Sequence, residues 1–163
     1  MATTYTPIAT TTLGSAQTSV TFSSIPATYT DLILVYSGTN SAQDVYVQVN
    51  GDTGTNYSTT ILTGNGTTAS SLRYSSATKF NVDSNGIPGS TTPNTSLIHF
   101  MNYSNTTTYK TILVRTSNAT YGTDAVVGLW RSTSAINQIS LSNASSYNWS
   151  SGSTFSLYGI KAA

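Results

Sequence analysis

The sequence predicts an all-β, single-domain antiparallel sandwich of jelly-roll type, and three observations carry that expectation. Thr (31) and Ser (26) dominate the 163 residues, and with 11 Tyr they favour a pleated, half-buried surface over a helix. Glu is absent, and Lys, Arg and Met are few, so the strong helix formers are nearly missing. Short apolar runs recur between Gly, Asn, Asp, Ser and Pro, which is the punctuation of short strands. Disorder would explain the hydroxyls alone, but 37 % hydrophobic and 10 % aromatic residues supply a core.

Taken in order, residues 1–12 form either an extended N-terminal arm or an edge strand, and residues 13–163 form the sandwich domain. Pro7 lacks an N–H and suits either, so Tyr5, Pro7 and Ile8 become candidate partner-binding residues. Ser19 to Phe22 reads as a strand, and Asp31 to Tyr36 as one buried on both faces. Val45 to Val49 alternates, which puts Val47 in the core and Tyr46 and Gln48 outside; Asn50-Gly51 ends it in a turn. Tyr57 to Leu62, Ser71 to Tyr74 and Lys79 to Val82 follow. The stretch from Asp83 to Ser96, with Pro88, Pro93, Gly86 and Gly89, reads as the longest surface loop. Leu97 to Tyr103, Tyr109 to Thr116, Ala125 to Arg131, Ile136 to Leu141 and Ser153 to Ile160 complete about ten strands. That number suits a jelly roll better than an immunoglobulin sandwich.

Charged residues make up 7 % of the chain, and the net charge is +1. Neither nucleic acid nor an anionic membrane is therefore an expected partner. No apolar run reaches membrane-spanning length, and no secretory leader pattern opens the chain. Without Cys there are no disulfides and no thiolate chemistry. His99, the one histidine, sits in Leu97-Ile-His-Phe-Met101 and reads as structural. No nucleophile elbow accompanies it, and the five Asp fall at strand ends and turns, so no catalytic residue is assigned. Asn50-Gly-Asp52-Thr-Gly54-Thr-Asn56 spaces oxygens as a calcium loop does, but Ile61 stands where the bidentate Glu belongs. The expectation is a plain turn, with no metal and no cofactor. Eight N-x-Ser/Thr triplets exceed the roughly four to five that composition predicts by chance, and composition remains their simplest source. Trp130 lies in an apolar strand and is expected in the core. Trp149, between Asn148 and Ser150, is the candidate for stacking on a sugar.

Several phrases resemble one group of proteins. They are Tyr5-Thr-Pro-Ile-Ala9, Leu13-Gly-Ser15, Val20-Thr-Phe-Ser-Ser-Ile-Pro26 and Tyr29-Thr-Asp-Leu32. Asn50-Gly-Asp-Thr-Gly-Thr-Asn-Tyr57, Gly128-Leu-Trp-Arg-Ser-Thr133 and Gly152-Ser-Thr-Phe-Ser-Leu-Tyr-Gly-Ile160 continue the series. Together they are similar to small β-rich virion proteins of tailed bacteriophages, especially those of aquatic and cyanobacterial hosts. The resemblance implies a structural role without catalysis, in one of two branches: a capsid decoration (cement) protein or a tail-fibre tip. For a cement protein it implies contact with the major capsid protein, a homotrimer, assembly in the bacterial cytoplasm and a final place on the capsid surface. For an adhesin it implies a host receptor or glycan as ligand. A hydroxyl-rich surface with few charges is expected to make contacts that salt screens weakly.

Overall fold

A computed structural model describes residues 4–40, 44–83, 90–144 and 147–161. Among them are twelve strands: β1 (Tyr5–Thr12), β2 (Ser19–Phe22), β3 (Asp31–Asn40), β4 (Val45–Val49), β5 (Tyr57–Gly64), β6 (Ala69–Ala77), β7 (Phe80–Asn81), β8 (Ser90–Met101), β9 (Lys110–Asn118), β10 (Gly122–Trp130), β11 (Ile139–Asn143) and β12 (Thr154–Ile160). They form an eight-stranded sheet in the order β1-β12-β3-β8-β9-β10-β5-β6 and a four-stranded sheet in the order β2-β11-β4-β7. Every pairing is antiparallel. The fold is an all-β sandwich of jelly-roll type.

Period-two alternation explains the packing. In β4, Val45, Val47 and Val49 are wholly buried while Tyr46 and Gln48 are half-buried. From the smaller sheet Val20, Phe22, Ile139 and Leu141 point inward to meet Leu34, Ile98, Phe100, Ile112 and Val126 of the larger. Aromatic side chains fill the space between them: Tyr57 packs edge-on to Phe80 with ring centroids 4.9 Å apart. Gly128 is required there, because a Cβ would lie 2.6 Å from the Phe80 ring and 2.7 Å from Ile112. Asn50 (φ 52°) and Gly51 (φ 63°) are both left-handed. The turn they make carries the chain out of the smaller sheet toward β5 in the larger.

Two sequence expectations need correction. The stretch from Asp83 to Ser96 is not one loop, since β8 begins at Ser90 and Asn94 to Ser96 pair with β3; residues 84–89 lie outside the described residues. Asn94 and Ser96 are polar yet buried, so their polarity mimics a surface segment. Trp149 is wholly buried, with Phe155 edge-on at 4.9 Å and Tyr36 at 6.1 Å. It cannot stack on a sugar, because isolated bridges to Gln17 and Asn40 turn its side chain inward while Asn148 and Ser150 face water. Of the two readings held open for the N-terminal segment, arm or edge strand, residues 5–12 form the edge strand β1, paired with β12.

Candidate interaction surface

The larger sheet has an outer face, opposite the smaller sheet, and strand register fixes which residues meet on it. Its central row crosses all eight strands: Pro7, Tyr158, Ile33, His99, Leu113, Val127, Thr60 and Arg73. One flanking row contains Val35, Leu97, Arg115, Ala125 and Leu62. The opposite flank carries Met101, Thr111, Leu129 and Ser58. These three rows form a largely apolar stripe, and Leu62 (60 %), Leu113 (44 %) and Val127 (45 %) stand well exposed on it. The next row, Ser37-Thr95-Ser117-Thr123, is all hydroxyl and marks its border. Apolar residues thus occupy both faces of β8, β9 and β10.

All three arginines belong to this face. Arg73 and Arg115 stand in the rows above, and Arg131 donates to Ser58 Oγ (2.5 Å) and to the Thr55 carbonyl (2.7 Å). Arg73 and Arg131 line a shallow groove whose floor includes Val127 and Leu129. Among the described residues none of these guanidinium groups meets a carboxylate, and the ion pair present joins His99 Nε2 to Asp31 Oδ2 at 2.8 Å. Asp31 Oδ1 also accepts from the Asn102 backbone N–H at 2.7 Å. The carboxylate therefore fixes the imidazole and the β8 turn together. The face is apolar in the middle and positive along the β9-to-β6 side.

The outer face of the smaller sheet is different. Ser19, Thr21, Ser140 and Ser142 present hydroxyls, with Thr21 and Ser140 hydrogen-bonded at 2.9 Å. Lys79 lies 3.7 Å from the Tyr46 ring centroid. Such a surface is well served by water and offers little to a dehydrating partner.

Of the residues singled out in β1, Tyr5 and Pro7 lie on the outer face of the larger sheet, opposite Ile160 and Tyr158. The register shifts between Pro7 and Ala9, and the intervening Ile8 packs against the core. The oxygen-rich segment from Asn50 to Asn56 is a closed turn. Asp52 Oδ1 accepts from Gly54 N–H (2.8 Å), and Oδ2 accepts from Asn56 Nδ2 (2.9 Å) and Trp130 Nε1 (2.6 Å). These donors hold the Asp52 carboxyl below its ordinary range despite some desolvation.

No family model and no curated protein matches the chain. Among solved structures, the galectin LEC-6 of Caenorhabditis elegans is similar at 9 % identity and a TM-score of 0.37, over 94 % of this chain and 96 % of that one. A tetrameric galectin from the ball sponge Cinachyrella sp. gives 12 % identity and 0.40, over 87 % and 99 %. Domains LG4-5 of the mouse laminin alpha1 chain give 13 % and 0.37, over 91 % and 40 %.

Proposed function

We propose that this protein is a non-enzymatic structural subunit of a tailed-bacteriophage particle, a decoration or cement protein bound to the major capsid protein. It rests on the resemblance of sequence phrases described above and on one structural observation, the outer face of the larger sheet. That face spans roughly 35 Å by 20 Å from strand and residue spacings, or about 700 Å² against the ~800 Å² per partner of a standard interface. Its apolar stripe favours a partner that can be dehydrated. Its three guanidinium groups favour one that carries carboxylates. The occupant is thus an apolar, acid-bearing patch of the shell protein, reached without strong electrostatics elsewhere on the subunit. Tyr5 and Pro7 extend the same surface toward β1, where a neighbouring copy in a homotrimer would contribute. Bridging adjacent shell subunits in this way resists the outward pressure of packaged DNA.

The test compares particles with and without the protein. Particles lacking it should lose DNA at lower temperature while adsorbing normally to cells, and added protein should restore heat resistance. Normal heat resistance with failed adsorption would instead identify a tail-tip adhesin.

A further inference from the structure

Two open sheets have four edges, and an edge strand with unpaired N–H and C=O groups invites another strand. Three of the four edges are blunted here. In the smaller sheet β2 spans four residues and β7 two, which is short for a template. In the larger sheet β1 carries Pro7, which donates no N–H, and its register shifts between Pro7 and Ala9. The fourth edge, β6, is long and unguarded. It runs for nine residues with no Pro and one charged residue, Arg73, and it pairs with β5 without interruption from Tyr74 back to Ala69. Its irregularity lies beyond Tyr74, where the register shifts and Ser76 is left-handed (φ 53°).

This edge also overhangs the smaller sheet. Leu72 stands opposite the wholly buried Ile61 and so points to the inner side, yet it is 41 % exposed. Within β6 only Tyr74 and Ala77 are half-buried, and the other residues are exposed. An apolar side chain thus sits out on a ledge of hydroxyls.

A second copy of β6 matches that ledge. Antiparallel pairing about a two-fold axis at Leu72 sets Leu72 against its twin, Ser70 against Tyr74, and Ser71 against Arg73. The apolar residue meets its like, and the guanidinium meets a hydroxyl. An axis at Arg73 would instead oppose two like charges, and an axis at Tyr74 would draw in the left-handed Ser76. An axis on a residue keeps inward side chains inward in both copies, because side chains alternate with period two. The outer faces therefore stay on one side: the row Leu113-Val127-Thr60-Arg73 runs on into Ser71, Leu62 and Ala125 of the second copy.

We propose that β6 is a self-association edge, at which two copies of this chain join their larger sheets into one continuous antiparallel sheet. The contact needs neither the particle nor the shell protein, and it lies at the sheet edge opposite β1. Edge pairing covers less area than a standard interface, so the pair forms with rising concentration rather than permanently.

The experiment uses the full chain, free of particles. Sedimentation from low micromolar to near-millimolar concentration should show reversible pairing of whichever unit, monomer or trimer, is present at the dilute end. Leu72→Lys opposes two charges at the axis and should weaken the pairing roughly tenfold, with a nearly unchanged melting midpoint because the side chain is half exposed at an edge. The chain has no cysteine, so single substitutions report the register. Leu72→Cys sets two thiols directly opposite each other and should give a disulfide-linked dimer under mild oxidation, whereas Ser70→Cys sets them about 14 Å apart and should not. A mass that does not rise with concentration, or equal cross-linking of both cysteine variants, would overturn the proposal. So would association of unchanged strength in Leu72→Lys, because it would belong to another surface such as β1. If the wild type fails to pair and Leu72→Lys loses particle binding, the edge takes a strand of the shell protein, and self-pairing is refuted.

Discussion

Replacing Leu62, Leu113 and Val127 together by Thr would separate docking from folding. Each side chain points out from the larger sheet and retains 60 %, 44 % and 45 % of its exposure, respectively. Full burial of a Leu or Val is worth about 1.5–3 kcal/mol. Covering the exposed halves of three such side chains would therefore contribute roughly 3 kcal/mol to docking. At about 1.4 kcal/mol per factor of ten, the triple variant should bind particles on the order of a hundredfold more weakly. Thr has the β-branched shape that strands favour, and the inward neighbours Ile61, Ile112 and Val126 are untouched. Its own stability should fall by no more than about 1 kcal/mol per site. The assay is titration of purified protein onto particles that lack it, alongside a melting curve of the free protein. Wild-type occupancy at wild-type concentrations, with the fold intact, would refute the assignment of this face.

The remaining predictions concern the core, the edge and two kinds of solution dependence. Val47→Asp places an unpaired charge at a wholly buried position and should cost several kcal/mol or abolish folding, read as loss of the thermal transition. Deleting residues 2–12 removes the β1 ladder from β12 and bares the strand carrying Phe155 and Leu157; the melting midpoint should drop measurably, and an unchanged midpoint would show that β1 adds nothing to the domain. Burial raises the Tyr57 hydroxyl to about 12, above its ordinary 10. The stability it contributes is therefore complete below pH 10 and lost as pH climbs toward 12, a slope that denaturant titration should find reduced in Tyr57→Phe. The low overall charge alone predicts contacts indifferent to salt, but with all three arginines gathered on the docking face salt should weaken particle binding; a salt-independent affinity would remove them from the interface.

The sandwich was legible wherever one face of a strand was apolar and the other was not. Val45 to Val49 is the plainest case, since its burial follows its alternation residue by residue. The start of β8 was hidden for the opposite reason: Asn94 and Ser96 face a polar stretch of the interior, and polarity normally signals a loop. Trp149 misled similarly, because its Asn and Ser neighbours belong to the solvent side of the same extended segment. The docking face was half legible. Leu97, Leu113 and Val127 interrupt the alternation of their strands, which reads equally well as a strand buried on both sides. Only the register, by joining them into one row system with Arg73 and Arg115, distinguishes an open apolar stripe from a covered one.

The most direct measurement of the central claim is the number of copies in a purified particle, taken by quantitative mass spectrometry against the major capsid protein. A subunit that decorates the shell should be present in hundreds of copies, in a fixed ratio to that protein. A few dozen copies or fewer would place it on the tail and contradict the account.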